Sequence, residues 1–95
     1  MKGYVVCVYK SISNEEKLRE YALKARSAVE IYKGKMLVRG GKTTTNEGAF
    51  SPRTVIIEFP SHDEANIFYN SKEYQEAHAI LKGFAIRHHQ TVEGV

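Results

Sequence analysis

Arg53-Thr54-Val55-Ile56-Ile57-Glu58-Phe59-Pro60-Ser61 is the stretch from which the rest of the chain can be read. Its first seven residues are mostly β-branched or aromatic, with one carboxylate, Glu58, set among them, which is the composition of a strand. Pro60 has no N–H to give a ladder and ends the run. Ser61 with Glu64 three positions later then forms a capping box, so a helix begins at once. Ala65, Phe68 and Tyr69 give that helix its inward side. Asn70-Ser71 interrupts it, and Ser71 opens a second segment over 72–82 with the stripe Tyr74, Ala77, His78 and Leu81. Gly83 ends this segment. A last, more polar strand over 86–92 follows, and its polarity suits a sheet edge.

Upstream of the opening stretch the same grammar recurs. Gly3 to Tyr9 is a nearly continuous apolar run of strand length, suited to the centre of a sheet. Ser13-Asn-Glu-Glu16 supplies a helix start with Ser13 as cap. Leu18, Ala22, Ala25, Val29 and Tyr32 recur at steps of three and four, and Gly34 stops the helix. Residues 35–41 form a second strand ending in Arg39-Gly40-Gly41. Thr43-Thr-Thr45, the turn signal Asn46-Glu-Gly48 and Ala49-Phe50 predict a two-stranded arm before Arg53. The order β-α-β, β-α-β predicts an α+β fold: a ferredoxin-like plait, with a four-stranded antiparallel sheet and the helices on one face.

Ninety-five residues are expected to make one domain, 1–95, which buries about 60–70% of its unfolded surface. The 42% hydrophobic and 26% charged content is that of a soluble globular chain. No apolar run nears the ~20 residues of a membrane span, and Met-Lys-Gly-Tyr passes into strand-like sequence without signal-peptide character. Cys7 has no intrachain partner, which fits a reducing cytoplasm; in a buried strand it reads first as a small core hydrophobe. The net charge of +3 comes from basic residues interleaved with acids rather than clustered, so neither nucleic acid nor membrane is an expected partner.

The sheet carries the strongest inference about assembly. Tyr4, Val6 and Val8 alternate with Val5, Cys7 and Tyr9, while Thr54, Ile56 and Glu58 alternate with Val55, Ile57 and Phe59. Neither set is hydrophilic, so the helix-free face would expose more apolar surface than monomers usually tolerate. A second copy packed face to face is the simplest cover, which predicts a homodimer or an assembly of dimers.

Arg39-Gly40-Gly41, Glu47-Gly48, Arg53 through Glu58-Phe59-Pro60-Ser61, Tyr69-Asn-Ser71, Glu73-Tyr74-Gln75 and Val92-Glu93-Gly94 together resemble an uncharacterised family of small bacterial proteins. That family, of unknown function, lies within the dimeric α+β barrel superfamily, and the resemblance runs from Gly3 to Gly94. His88-His89 makes the last strand more basic than is usual there. The resemblance implies fold and assembly but no reaction. The wider superfamily includes cofactor-free monooxygenases, muconolactone-type isomerases, haem-degrading enzymes and stress-responsive proteins, some with a ligand cavity between sheet and helices; that is an analogy of fold.

Several residues are candidates for chemistry. Arg39, Arg53 and Glu58 are charges embedded in paired strands. They form an ion pair that fixes register, hold a carboxylate or enolate on arginine with Glu58 as base or orienting partner, or lie exposed at the surface. His78 is either a packing residue or a proton-transfer group beside the cavity, where Tyr69 and Tyr74 offer hydroxyls. The expected site therefore has Glu58, His78 and Arg39 as catalytic candidates and Arg53, Tyr69 and Tyr74 as ligand-binding ones. His88 and His89 point to opposite faces and cannot share a metal, so no metal site is expected. No cofactor motif is present: Arg39-Gly-Gly41 lacks the phosphate-loop pattern. Two function classes follow. One is a small-molecule-binding protein or cofactor-free enzyme; the other is a non-catalytic homodimeric module.

Overall fold

The computed structural model describes residues 1–95. The elements are β1 (Gly3–Ile12), α1 (Glu15–Ile31), β2 (Lys35–Arg39), β3 (Arg53–Phe59), α2 (His62–Asn70), α3 (Lys72–Leu81) and β4 (Ala85–Glu93). The strands form one sheet in the order β2-β3-β1-β4, and every neighbouring pair is antiparallel. This is the ferredoxin-like plait, with the second helical region split into two. The apolar β1 is central and the polar β4 is an edge, as their compositions predict.

Alternation decides which residues meet the helices. Val5, Cys7 and Tyr9 of β1 are buried with Ile57 and Phe59 of β3 in one cluster with Leu18, Tyr21, Ala25, Ala28 and Val29 of α1. Ala65, Phe68, Tyr74, Ala77 and Leu81 of α2 and α3 complete it. Phe68 is its aromatic hinge, with its ring centroid 4.9 Å from Phe59 and 4.8 Å from Tyr74. The helices thus cover one face of the sheet. Tyr4, Val6, Val8, Thr54, Ile56 and Glu58 belong to the other face and are only half-buried.

The caps refine the sequence reading. Ser61 and Ser71 cap α2 and α3, accepting from the N–H groups of Glu64 and Tyr74, each at 3.1 Å. In α1 the cap is Asn14 rather than Ser13: Asn14 Oδ1 accepts from Lys17 N–H at 3.0 Å. Ser13 instead donates its hydroxyl to the Phe84 carbonyl, tying the helix entry to the turn before β4. At the other end of α1 the left-handed residue is Lys33 (φ 63°), not Gly34. Gly34 is required for a different reason, because a β-carbon there would sit 2.7 Å from the Phe59 ring. The helix stripe also differs, since Tyr21 and Ala28 are buried where Ala22 and Tyr32 are only half-buried.

The expected two-stranded arm is absent. Residues 40–50 are exposed and contain no strand. Gly40 N–H reaches the Thr54 carbonyl at 2.9 Å, and Thr43 bonds locally to Gly41. Three threonines carry β-propensity, but the segment has no alternating apolar face to bury, and a lone hairpin without one does not hold.

Candidate functional site

The site grows from one row of residues across the sheet. Tyr9 of β1 is paired with Arg53 on β3 and with Arg87 on β4, so three side chains of one register line point toward the helices together. The next line down pairs Cys7 with Val55 and His89. The Tyr9 ring therefore lies between two guanidinium groups, with Arg87 5.5 Å and Arg53 5.8 Å from its centroid, close enough for cation–π attraction on both sides.

Arg87 is the hub. Its Nη2 donates to the Tyr74 hydroxyl at 2.7 Å and its Nη1 to the Tyr21 hydroxyl at 3.0 Å. Tyr9 oxygen and Cys7 sulfur lie at 3.4 and 3.5 Å from the same Nη1. Tyr21 and Tyr74 share a hydrogen bond of 2.9 Å, and their rings meet edge to face. No carboxylate takes part, so the cation is solvated by phenol oxygens rather than neutralised. Burial opposes the charge on Arg87, yet the surrounding tyrosine and cysteine groups outweigh it and hold the pKa above the ordinary arginine value. Burial raises the tyrosines too: Tyr9 is pushed up to about 12, and Tyr21 and Tyr74 also rise. All three are neutral hydroxyls at physiological pH.

His89 completes the inner wall, 4.9 Å from the Tyr69 ring. Burial, followed by the Arg87 charge, lowers its pKa to about 4, so its imidazole is neutral at pH 7. Burial also raises the Cys7 thiol, which keeps it protonated and unreactive.

These groups border a cavity of about 50 Å³ between the sheet and α1, lined largely by hydrophobic side chains including Val5, Val29, Met36, Val55 and Ile57. Arg26, Arg39, Arg53 and Arg87 also line it. An outer groove of about 420 Å³ lies beyond, bounded by Tyr69, His78, Leu81, Lys82 and Ile86. Arg87 and His89 belong to both linings and form the partition between them.

The residues expected to form one site are thus divided among three places. Arg39, Arg53 and Tyr74 line the inner cavity, whereas Tyr69 and His78 line the outer groove. Burial, then the nearby Arg87 charge, lowers the His78 pKa, and its ring stacks on Tyr74 with centroids 6.1 Å apart. Glu58 is in neither place. Its parity puts it on the helix-free face, paired with Tyr4 and accepting that residue's hydroxyl at 3.0 Å. It makes no ion pair with Arg39 or Arg53; the single salt bridge of the protein joins Lys17 to Glu20 on α1.

Sequence reasoning missed Arg87, His89, Tyr9 and Tyr21. A signal was present, because Arg87 and His89 alternate with Ile86 and His88. Once Tyr9 is assigned inward, antiparallel pairing brings the odd-numbered residues of β4 to the same side. No cluster of three or more His, Cys, Asp or Glu residues is arranged to hold a metal ion.

Over residues 2–95 the chain matches the domain of unknown function DUF1330. The chain belongs to the DUF1330 family. No curated protein matches it. Among solved structures, it is similar to the RPA0582 protein of unknown function from Rhodopseudomonas palustris, with TM-score 0.78 and 13% identity over 99% of this chain and 82% of that one. A dimeric protein of unknown function and ferredoxin-like fold from Bacteroides fragilis aligns with TM-score 0.59 and 16% identity, over 98% and 96% of the two chains. A candidate antibiotic biosynthesis monooxygenase from Caulobacter crescentus aligns with TM-score 0.59 and 15% identity, over 99% and 89%. At these identities the likeness concerns the fold.

Proposed function

We propose that this DUF1330 protein is a homodimeric α+β barrel, one domain over residues 1–95, that binds a small organic ligand between its sheet and helices. Working in a reducing cytoplasm, it acts as an enzyme-like protein without a bound cofactor. The observation that carries the reading is the inner cavity, where apolar walls surround Arg87, three tyrosine hydroxyls and a neutral His89. Binding sites are typically mostly apolar with a few convergent polar groups, and this cavity has that make-up. Arg39, Arg53 and Tyr74 contact the ligand. Tyr69 and His78 act from the outer groove, where His78 is available for proton transfer at the partition.

The dimer reading rests on the helix-free face. Beside half-buried Val6, Val8 and Ile56, it leaves Ile86 at 63% and Val92 at 46% exposure. The structural neighbour from Bacteroides fragilis is described as dimeric, which supports a dimer here. In that arrangement the Tyr4–Glu58 hydrogen bond lies in the interface and Glu58 sets the register of the two copies. This one contact also favours the second reading, a non-catalytic dimeric module, for the open face alone.

A crystal structure of protein purified without added ligand tests the reading. Density retained in the inner cavity of each copy of a two-fold dimer is the expected result. A cavity closed by side-chain rearrangement within an intact dimer would leave only the structural module.

A further inference from the structure

The cavity has an imbalance of charge that identifies its occupant. Its lining contains four arginines, Arg26, Arg39, Arg53 and Arg87, and no aspartate or glutamate. The protein's one salt bridge lies elsewhere, so none of the four is neutralised within the chain. Arg26 and Arg39 are exposed. Arg87 spends its donors on tyrosine hydroxyls. Arg53 is different: its Nε is buried and has no hydrogen-bond partner. An orphaned buried donor is costly, and native proteins rarely leave one without a reason.

The Arg53 head group is also held in place. Ser51 is buried and its hydroxyl contacts both the Tyr9 carbonyl at 2.7 Å and the Arg53 carbonyl at 3.1 Å, which fixes the start of β3. The Tyr9 ring lies on one side of the guanidinium. Gly40 lies against it as well, at φ 68°, where an added β-carbon would collide with the guanidinium. Glycine at that position is thus required twice, by its backbone and by its neighbour.

We infer that the ligand is a short-chain aliphatic carboxylate whose anionic head is held by the Arg53 guanidinium. This deepens the ligand-binding reading above and rests on it. A carboxylate supplies the acceptor that Arg53 lacks and the negative charge that the lining lacks. Nothing in the cavity competes, because the tyrosines and His89 are neutral at pH 7. Size sets the remainder of the ligand. The cavity of about 50 Å³ is well below the roughly 150 Å³ that accommodates a benzene ring, so an aliphatic stub of a few carbons fits and an aromatic ring does not.

Isothermal titration at constant ionic strength, set with chloride, tests this on the full chain. Acetate, propionate and butyrate are compared with their primary amides and with benzoate, against wild type, Arg53→Gln and Arg53→Lys. Saturable binding of the aliphatic acids alone is expected, weakened about tenfold or more by Arg53→Gln. Arg53→Lys retains the charge but not the planar fork of donors, and it should also bind more weakly. Amides binding as tightly as acids, or unchanged affinity in both variants, would overturn the anion inference while leaving a ligand site in place. Benzoate outbinding butyrate overturns the size argument. Wild type binding none of the acids overturns the inference, and retained density in the purified protein then decides the ligand-binding reading separately.

Discussion

Removing one hydroxyl from the Arg87 cluster tests whether phenol oxygens alone keep a buried guanidinium in place. The Tyr74 side chain is 1% exposed, accepts from Arg87 Nη2 at 2.7 Å and shares a hydrogen bond of 2.9 Å with Tyr21. Tyr74→Phe keeps the ring packing on Phe68 and deletes only the oxygen. A hydrogen bond to a charged group is worth about 1.5–3 kcal/mol, and the variant also strands an N–H of the cation, so a loss of about 2–3 kcal/mol is expected. That is a large part of the roughly 5–15 kcal/mol that stabilises a domain. Arg87→Met removes the charge and fills the space. In the double variant no cation remains to be stranded, so it should be less destabilised than the sum of the singles by about 1–2 kcal/mol. Urea unfolding at one fixed protein concentration, with unchanged m, gives the four free energies of the cycle. A Tyr74→Phe loss under about 0.5 kcal/mol with additive variants would refute the idea that the tyrosines hold Arg87.

Three further outcomes follow from the same geometry. The folded-state pKa of His89, about 4, lies below its unfolded value near 6.5, so the unfolded chain takes up the proton first. Its contribution is complete above about pH 6.5 and is lost as pH falls toward 4, at most about 3 kcal/mol; His89→Gln should flatten the stability profile in that window relative to wild type. Gly40→Ala forces a left-handed alanine against the Arg53 guanidinium and should cost about 1–2 kcal/mol by urea unfolding, and an unchanged midpoint would show that Arg53 is not confined there. Ile56→Lys puts a charge in the middle of the helix-free face and should convert the proposed dimer to a folded monomer in sedimentation equilibrium, whereas an intact dimer would place the interface elsewhere.

Most of the fold was legible because local and global signals agreed. Proline and serine at 60–61 mark the strand-to-helix junction, and Ser71 marks the second helix start, each confirmed by a cap hydrogen bond. The Asn14 cap was misread because Ser13 and Asn14 are both good caps, and the tertiary bond from Ser13 to Phe84 decides between them. Residues 40–50 form no arm despite their β-propensity, because the segment has no apolar face to support one. The site was only partly legible, since strand alternation tells which residues share a face but not which face meets the helices. Glu58 was therefore assigned to the cavity although its parity matches Tyr4, and Arg87 was passed over although its parity matches Tyr9. Pairing register, a long-range property, is what brought Arg53, Tyr9 and Arg87 into line.

The claim that a small organic anion sits between sheet and helix on Arg53 is most directly read at that nitrogen. In ¹⁵N spectra of the arginine side chains, addition of butyrate should move the Arg53 Nε signal along a saturable curve while exposed arginines such as Arg19 stay still. An Arg53 signal that only drifts with ionic strength, in step with Arg19, would contradict the account.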